Sequence, residues 1–193
     1  MPEEEKTIKD FEQLTGLLKK KEICKRTVVV WPEEDHTQEA ILQATHEGFI
    51  SPILVCSERT KKIFADREAL QAVTAENPEE ASRIAVKIIR EQKADIIMKG
   101  FVNTDVLLRA ILDKEHGILP RGAVLTHITV TKIPEYPKLL FFTDAAVIPY
   151  PTEEQRKAQI KYVIDFCHAF NIDCPKISLI HCSEKVDVKH FPY

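Results

Sequence analysis

Glycine is scarce. Five occur in 193 residues, at positions 16, 48, 100, 117 and 122. None falls in a G-x-G-x-x-G turn or a Walker loop, so the usual motifs for nicotinamide binding and nucleotide hydrolysis are excluded. A G-x-S-x-G elbow and an H-E-x-x-H helix are also missing. Apolar runs such as Ile53–Cys56 are only a few residues long, against the roughly 20 that a membrane helix needs. Basic charge is not in excess: 27 Lys and Arg stand against 30 Asp and Glu, a formal net charge of −3. The signs are mixed along the chain, which argues against nucleic acid and against an anionic membrane as partners. The five cysteines (Cys24, Cys56, Cys167, Cys174 and Cys182) are odd in number, widely spaced and free of any C-x-x-C. That fits a reduced cytoplasm better than a disulfide framework. Cys56 and Cys182 each end an apolar run and read as small buried hydrophobes. The seven histidines are scattered, so no metal site is expected. The N-terminus, Met1-Pro-Glu-Glu-Glu-Lys6, is acidic with no apolar stretch behind it, unlike a secretory signal.

What is present alternates strand and helix. Ile8, Phe11, Leu14, Leu17 and Leu18 are spaced as one face of a helix over 8–21. Strands are expected at Thr27–Val30, at Pro52–Cys56, near Val73 and at Asp95–Met98. Helices are expected at 37–47, around 61–64, from Pro78 with Asn77 as cap, and at 104–114 before Gly117. Buried strands separated by helices mean βαβ units and a mainly parallel sheet. After Gly117 the pattern changes. Leu125–Ile133 and Leu139–Thr143, joined by Pro134-Glu-Tyr-Pro137, read as a hairpin. Thr152-Glu-Glu-Gln155 is a capping box opening a helix over 153–170, with Ile160, Val163, Ile164 and Cys167 inward. Lys176–His181 reads as a final buried strand, and no helix remains to cover it. The expected fold class is α/β, with a first domain over 1–119 and part of a second over 120–193.

Chemistry concentrates in Met98-Lys-Gly-Phe-Val-Asn-Thr-Asp-Val-Leu-Leu-Arg109, a strand, a glycine turn and a helix N-terminus. Ligands of parallel sheets bind beyond the carboxyl ends of the strands, and helix starts offer free N–H groups to anions. Gly100 permits close backbone approach, Thr104 caps the helix or donates to a phosphate, and Arg109 forks onto an anion. The competing reading makes Asp105 and Arg109 a surface pair at i, i+4, Thr104 a plain cap and Lys99 a solvated loop residue. Asp144, after the run Leu139–Thr143, is either a turn former or a site residue.

Several stretches together resemble the phosphate acetyl/butyryltransferases, nearer the butyryl branch. They are Met98-Lys-Gly100, Asn103-Thr104, Leu107–Lys114, Leu125-Thr-His127, Leu139–Ala146, and the helix from Glu153 with Pro175–Leu179. The resemblance implies a two-domain fold like that of isocitrate and isopropylmalate dehydrogenases, with the active site between the domains. It implies reversible acyl transfer between acyl-CoA and inorganic phosphate, with coenzyme A as a substrate, no bound cofactor and no metal. It implies substrate or phosphate contacts for Lys99, Gly100, Asn103, Thr104, Arg109 and Asp144, and a homodimer or higher homo-oligomer. Val147-Ile-Pro149 departs from the family, which has an asparagine near the proline there. The resemblance also implies that the fold is C-terminally incomplete at Tyr193. A serine–arginine pair and a thiol-activating aspartate would then lie further on, and residues 1–193 alone would not turn over. Two rivals stand beside this reading: an acyl-carrier-protein:phosphate acyltransferase, and a non-catalytic CoA-binding module of the same fold.

Overall fold

The computed structural model describes residues 8–65 and 70–180. They form two compact units. One is Thr15–Arg121; the other joins Gly122 onward to the residues before Thr15. The division near Gly122 lies beside the sequence boundary at 119/120. Residues 8–14, however, do not group with the first domain to which the sequence assigned them. Ile8, 5% exposed, donates its N–H to the Phe170 carbonyl at 3.3 Å.

The larger unit carries β1 (Lys25–Val30), α2 (Asp35–His46), β2 (Ile50–Cys56), α3 (Glu58–Ile63), β3 (Gln71–Thr74), α4 (Pro78–Arg90), β4 (Ile96–Lys99) and α5 (Thr104–Ile111); α1 (Phe11–Lys20) spans the division. The four strands form one parallel sheet in the order β3-β2-β1-β4. Side chains alternate across a strand, so an unbroken apolar run serves two cores at once. Val28 and Val30 face Ala81, Ala85 and Ile88 of α4 and Leu107 of α5. Val29 faces the opposite way, with Leu54, Cys56, Ile41 and Phe64. Arg26 grips Asp95 through two hydrogen bonds, Nη2 to Oδ1 at 2.7 Å and Nε to Oδ2 at 3.1 Å, tying the start of β1 to that of β4.

The helix ends follow local chemistry. Ser57 and Asn77 accept from the N–H groups of Thr60 and Glu80, capping α3 and α4. α5 stops at Ile111, short of the expected 114. Gly117 closes the turn after it, packed so tightly on the carbonyls of Ile111 and Asp113 that a side chain has no room. α1 forms at the expected place but buries no residue, so its apolar stripe is not a core face.

The smaller unit holds β5 (Thr129–Thr131), β6 (Leu140–Phe142) and α6 (Glu153–Ala169). β5 and β6 pair antiparallel, Val130 opposite Phe141, as a shorter hairpin than the sequence suggests. The capping box at Thr152 and Gln155 forms. Phe141 meets Phe166 and Phe170 edge-on, with ring centroids at 6.1 and 5.1 Å, docking α6 on the hairpin.

One element is corrected. Residues 176–180 are neither strand nor buried: Ile177 is 43%, Leu179 62% and Ile180 85% exposed, and no strand among the described residues pairs with them. An apolar pattern supplies side chains for a sheet but not the neighbouring backbone. His181 and Cys182 lie outside the described residues.

Candidate functional site

The chain builds the sheet outward from β1 to β3, then α4 carries it back to place β4 on the other side of β1. Strand order therefore reverses between β1 and β4. At such a switch point the loops leaving the two strands diverge and open a crevice at their carboxyl ends. The loop after β1 begins at Trp31 and the loop after β4 at Gly100, side by side.

Gly100 donates its N–H to the Val30 carbonyl at 2.9 Å, and Phe101 to the Trp31 carbonyl at 2.8 Å. A Cβ on Gly100 would sit 2.7 Å from both the Val30 and Trp31 carbonyl oxygens. The close approach that glycine permits is thus made to the β1 backbone. Lys99 folds over its own loop, Nζ donating to the carbonyls of Val102 (2.9 Å) and Gly100 (3.3 Å). Asn103, not Thr104, is the N-cap residue of α5, and its side chain makes no capping bond. Thr104 is the first helical residue and is exposed. The first N–H groups of α5 therefore have no side-chain cap, which leaves them to solvent or an anion.

Arg109 lies just over a turn beyond Thr104 and is 79% exposed in its side chain. Its Nη2 donates to Asp105 Oδ2 at 2.5 Å. The surface pair read from the i, i+4 spacing does form. Exposed pairs of this kind hold a side chain only weakly, by roughly 0.3–0.5 kcal/mol. Arg109 also lines a groove of about 900 Å³ between α4 and α5.

Asp144 belongs to the smaller unit. Its Oδ2 accepts from Thr126 Oγ1 (2.7 Å) and the His127 N–H (3.2 Å), and its Oδ1 from the N–H groups of Val147 (2.7 Å) and Ala146 (2.8 Å). Burial pushes its pKa up, but these hydrogen bonds outweigh burial and leave the carboxyl below its ordinary range. Gln159 of α6 donates to the same Thr126 hydroxyl at 3.2 Å. Asp144 thus binds the hairpin end, its own loop and α6 into one knot. Lys99, Gly100, Asn103 and Thr104 share one strand-to-helix junction, Arg109 follows on that helix, and Asp144 stands in the other unit.

Residues 70–191, which include β4, the junction and α5, match the family model described as "Phosphate acetyl/butaryl transferase". The chain belongs to the phosphate acetyl/butaryl transferase family. It is 33% identical over 177 residues to the phosphate butyryltransferase of Clostridium beijerinckii, covering 89% of this chain and 58% of that one. It is 32% identical to the phosphate butyryltransferase of Clostridium acetobutylicum, with 94% and 62% covered, and 27% identical to the phosphate acetyltransferase of Thermotoga maritima, with 86% and 57% covered. The fold is similar to that of a branched-chain phosphotransacylase from Enterococcus faecalis V583, with a TM-score of 0.70 and 19% identity over 86% of this chain and 59% of the other. The chain spans about three fifths of the length of the curated relatives it matches.

Three residues at the switch point of this family member escaped sequence reasoning. Trp31 has φ +55°, a backbone region uncommon for a residue with a side chain. Phe101 is 62% exposed beside it. Glu33 accepts from Ser57 N–H (2.8 Å), Ser57 Oγ (2.8 Å) and Thr60 Oγ1 (2.7 Å), pinning the loop after β1 to the start of α3. The only sequence signal for them was a Trp-Pro pair closing a β-branched run. Among the described residues no group of three or more His, Cys, Asp and Glu is placed to hold a metal ion, and no helix is long and apolar enough to cross a membrane.

Proposed function

We propose that the protein containing this chain reversibly transfers an acyl group between coenzyme A and inorganic phosphate in the cytoplasm, by way of an acyl phosphate. The observation that carries the reading is the junction of β4 and α5. It lies at the switch point of a parallel sheet, inside the family-matched region, with a helix start that no side chain caps. In acyl transfer the CoA thiol sulfur attacks the acyl carbonyl carbon, the carbon–oxygen bond to phosphate breaks, and the thiol proton passes to a base. Charge builds on the carbonyl and phosphate oxygens. Donors already oriented in the resting protein stabilise such charge without reorganisation. The N–H groups of Thr104 and Asp105 are donors of this kind; the hydroxyl of Thr104 and the guanidinium of Arg109, once it leaves Asp105, join them. Lys99 and Gly100 hold the loop that presents them, and Asn103, whose side chain makes no capping bond, stands at its rim. In this reading coenzyme A is a substrate, and the thiol base is not among the residues assigned here.

The smaller unit contributes to a homodimer in this proposal. Phe166 remains 36% exposed on α6, and Phe142 and Tyr150 are 41% and 57% exposed in the same unit. Symmetric association is the commonest way to cover such surface.

The test uses the gene product that carries this chain, at its natural length. Mixed with butyryl or acetyl phosphate and CoA, it is expected to form thioester and release one phosphate per thioester. Absence of thioester with every acyl phosphate tried would refute the assignment.

A further inference from the structure

The first turn of α5 carries an acid where an anion is proposed to sit. Val106 and Leu107 both donate their N–H groups to the Asn103 carbonyl, at 3.1 and 3.3 Å. The N–H groups of Thr104 and Asp105 have no acceptor among the described residues. Asp105 is the second residue of the helix. Its Oδ2 accepts from Arg109 Nη2 at 2.5 Å, and its Oδ1 accepts from no group among the described residues. Both side chains are largely exposed, 59% for Asp105 and 79% for Arg109. A pair of that kind shifts a population by only about twofold, so an arriving anion can open it and free both carboxylate oxygens.

Asp105 therefore brings two opposite functions to one place, a backbone donor and a carboxylate acceptor. An acid in the first turn favours the helix dipole, and that is its ordinary role. Toward a fully ionised ligand it is a hindrance, because like charges repel and the acceptor finds no proton. Toward an anion that keeps a proton it is an asset. Monohydrogen phosphate shows ionised oxygens to donors and one O–H to an acceptor. Sulfate has the same charge and a similar size, but no O–H. Hydrogen bonds from O–H to a carboxylate are among the strong ones. A site that hydrogen-bonds a ligand O–H also rejects the analogue that lacks it.

We propose that Asp105 sets the anion specificity of the β4–α5 junction: its carboxylate accepts a hydrogen bond from the protonated oxygen of inorganic phosphate and so selects phosphate over fully ionised anions such as sulfate. Arg109 and the N–H groups of Thr104 and Asp105 serve the ionised oxygens. The proposal rests on the phosphate role given to this junction above and deepens it by naming the form of the anion that is chosen. It concerns binding and involves no bond change.

The experiment is isothermal titration calorimetry of the natural-length gene product with phosphate, arsenate and sulfate. Ionic strength is held constant, at a pH where phosphate and arsenate are divalent and singly protonated. Phosphate and arsenate are expected to bind at least about tenfold more tightly than sulfate, the worth of one hydrogen bond to an ionised group. Asp105→Asn is expected to bring sulfate within about threefold of phosphate, with an unchanged circular dichroism spectrum. Loss of charge alone would raise the affinity of all three divalent anions alike and leave their ratio intact, so the ratio separates a hydrogen bond from simple repulsion. Arg109→Ala is expected to weaken the three anions together and to keep the preference for phosphate. The proposal is overturned by absence of phosphate binding at millimolar concentration, by sulfate binding as tightly as phosphate in the parent, or by a preference that survives Asp105→Asn. It is also overturned if Arg109→Ala abolishes the preference, which would assign it to the guanidinium. Failure of the acyl-transfer reading alone would show differently: no thioester would form from any acyl phosphate, while the preference for phosphate and its loss in Asp105→Asn would remain.

Discussion

Gly100 lies so close to Trp31 that the Cβ it lacks would come within 2.7 Å of the Trp31 carbonyl oxygen. The Val30 carbonyl oxygen would be equally near, and both are backbone atoms, at and just past the end of β1, that cannot swing aside as a side chain would. Gly100→Ala is therefore expected to destabilise the larger unit by about 1–3 kcal/mol, the usual cost of overpacking. Thermal unfolding followed by circular dichroism checks this. A melting temperature equal to that of the parent would mean that β4 and β1 are not held as closely as described.

Arg109 separates its two roles by measurement. Its exposed pair with Asp105 predicts that Arg109→Ala changes stability by less than about 0.5 kcal/mol. If it also contacts phosphate in the transition state, kcat/KM of the active gene product should fall by roughly 10- to 100-fold, the loss of a charge-assisted contact of about 1.5–3 kcal/mol. Asp105→Asn removes the pair alone and is expected to retain most activity. Equal kinetics for Arg109→Ala and the parent would return Arg109 to the surface pair.

Asp144 gives the smaller unit a dependence on acid. Because its pKa is lowered in the folded state, the stabilisation is present above the ordinary value of 3.8 and is lost as the pH falls through the folded pKa. Asp144→Asn is expected to cost about 1–3 kcal/mol near neutrality. The gap between parent and variant should narrow below pH 3.8 and persist at higher pH. Denaturant titrations at several pH values test it; a gap independent of pH would show that the carboxylate charge plays no part.

The cysteines should divide by burial. Cys24 and Cys174 are exposed, whereas Cys56 and Cys167 are buried. Burial, with Glu33 nearby, pushes the Cys56 thiol up to about 11. Iodoacetamide at neutral pH is expected to label Cys24 and Cys174 rapidly and to spare Cys56 and Cys167 until the protein unfolds. For Cys56 the raised value means stability that is intact below the ordinary 9.0 and lost as the pH climbs through about 11. Peptide mapping by mass spectrometry reads the labelling. Prompt modification of Cys56 in the native protein would contradict its place in the core.

Much of this was legible in the sequence, for reasons that differ by element. Val28-Val-Val30 announced a strand buried on both faces, because a short β-branched run suits a strand with a core on each side. Asn77-Pro78 and Thr152-Glu-Glu-Gln155 announced helix starts, because caps are local chemistry. Partners distant in the chain were not legible. The glycine at position 100 signalled close approach, but only the fold shows that β1 is what it approaches. The run Lys176–Ile180 signalled a buried strand, yet among the described residues nothing pairs with it. Asp144 was visible as an acid after a β-run, while its engagement with Thr126 and the loop that follows required the folded hairpin.

The strand order also sets how late the candidate site takes shape. Thr27 pairs with Pro52 on one side and with Ile96 on the other. Closing the second pairing demands the longest loop in the sheet, and the entropy of closure rises with loop length. The three strands β1, β2 and β3 join through shorter connections, so β4 is expected to be the last of the four to gain partners, which pulsed hydrogen exchange during refolding would check as late protection of 96–99. The turn at Gly100 hangs from β4, and the exposed helix start depends on that turn. On that order the junction proposed to meet phosphate would be organised late and loosen early, since among the described residues β4 has a single strand neighbour.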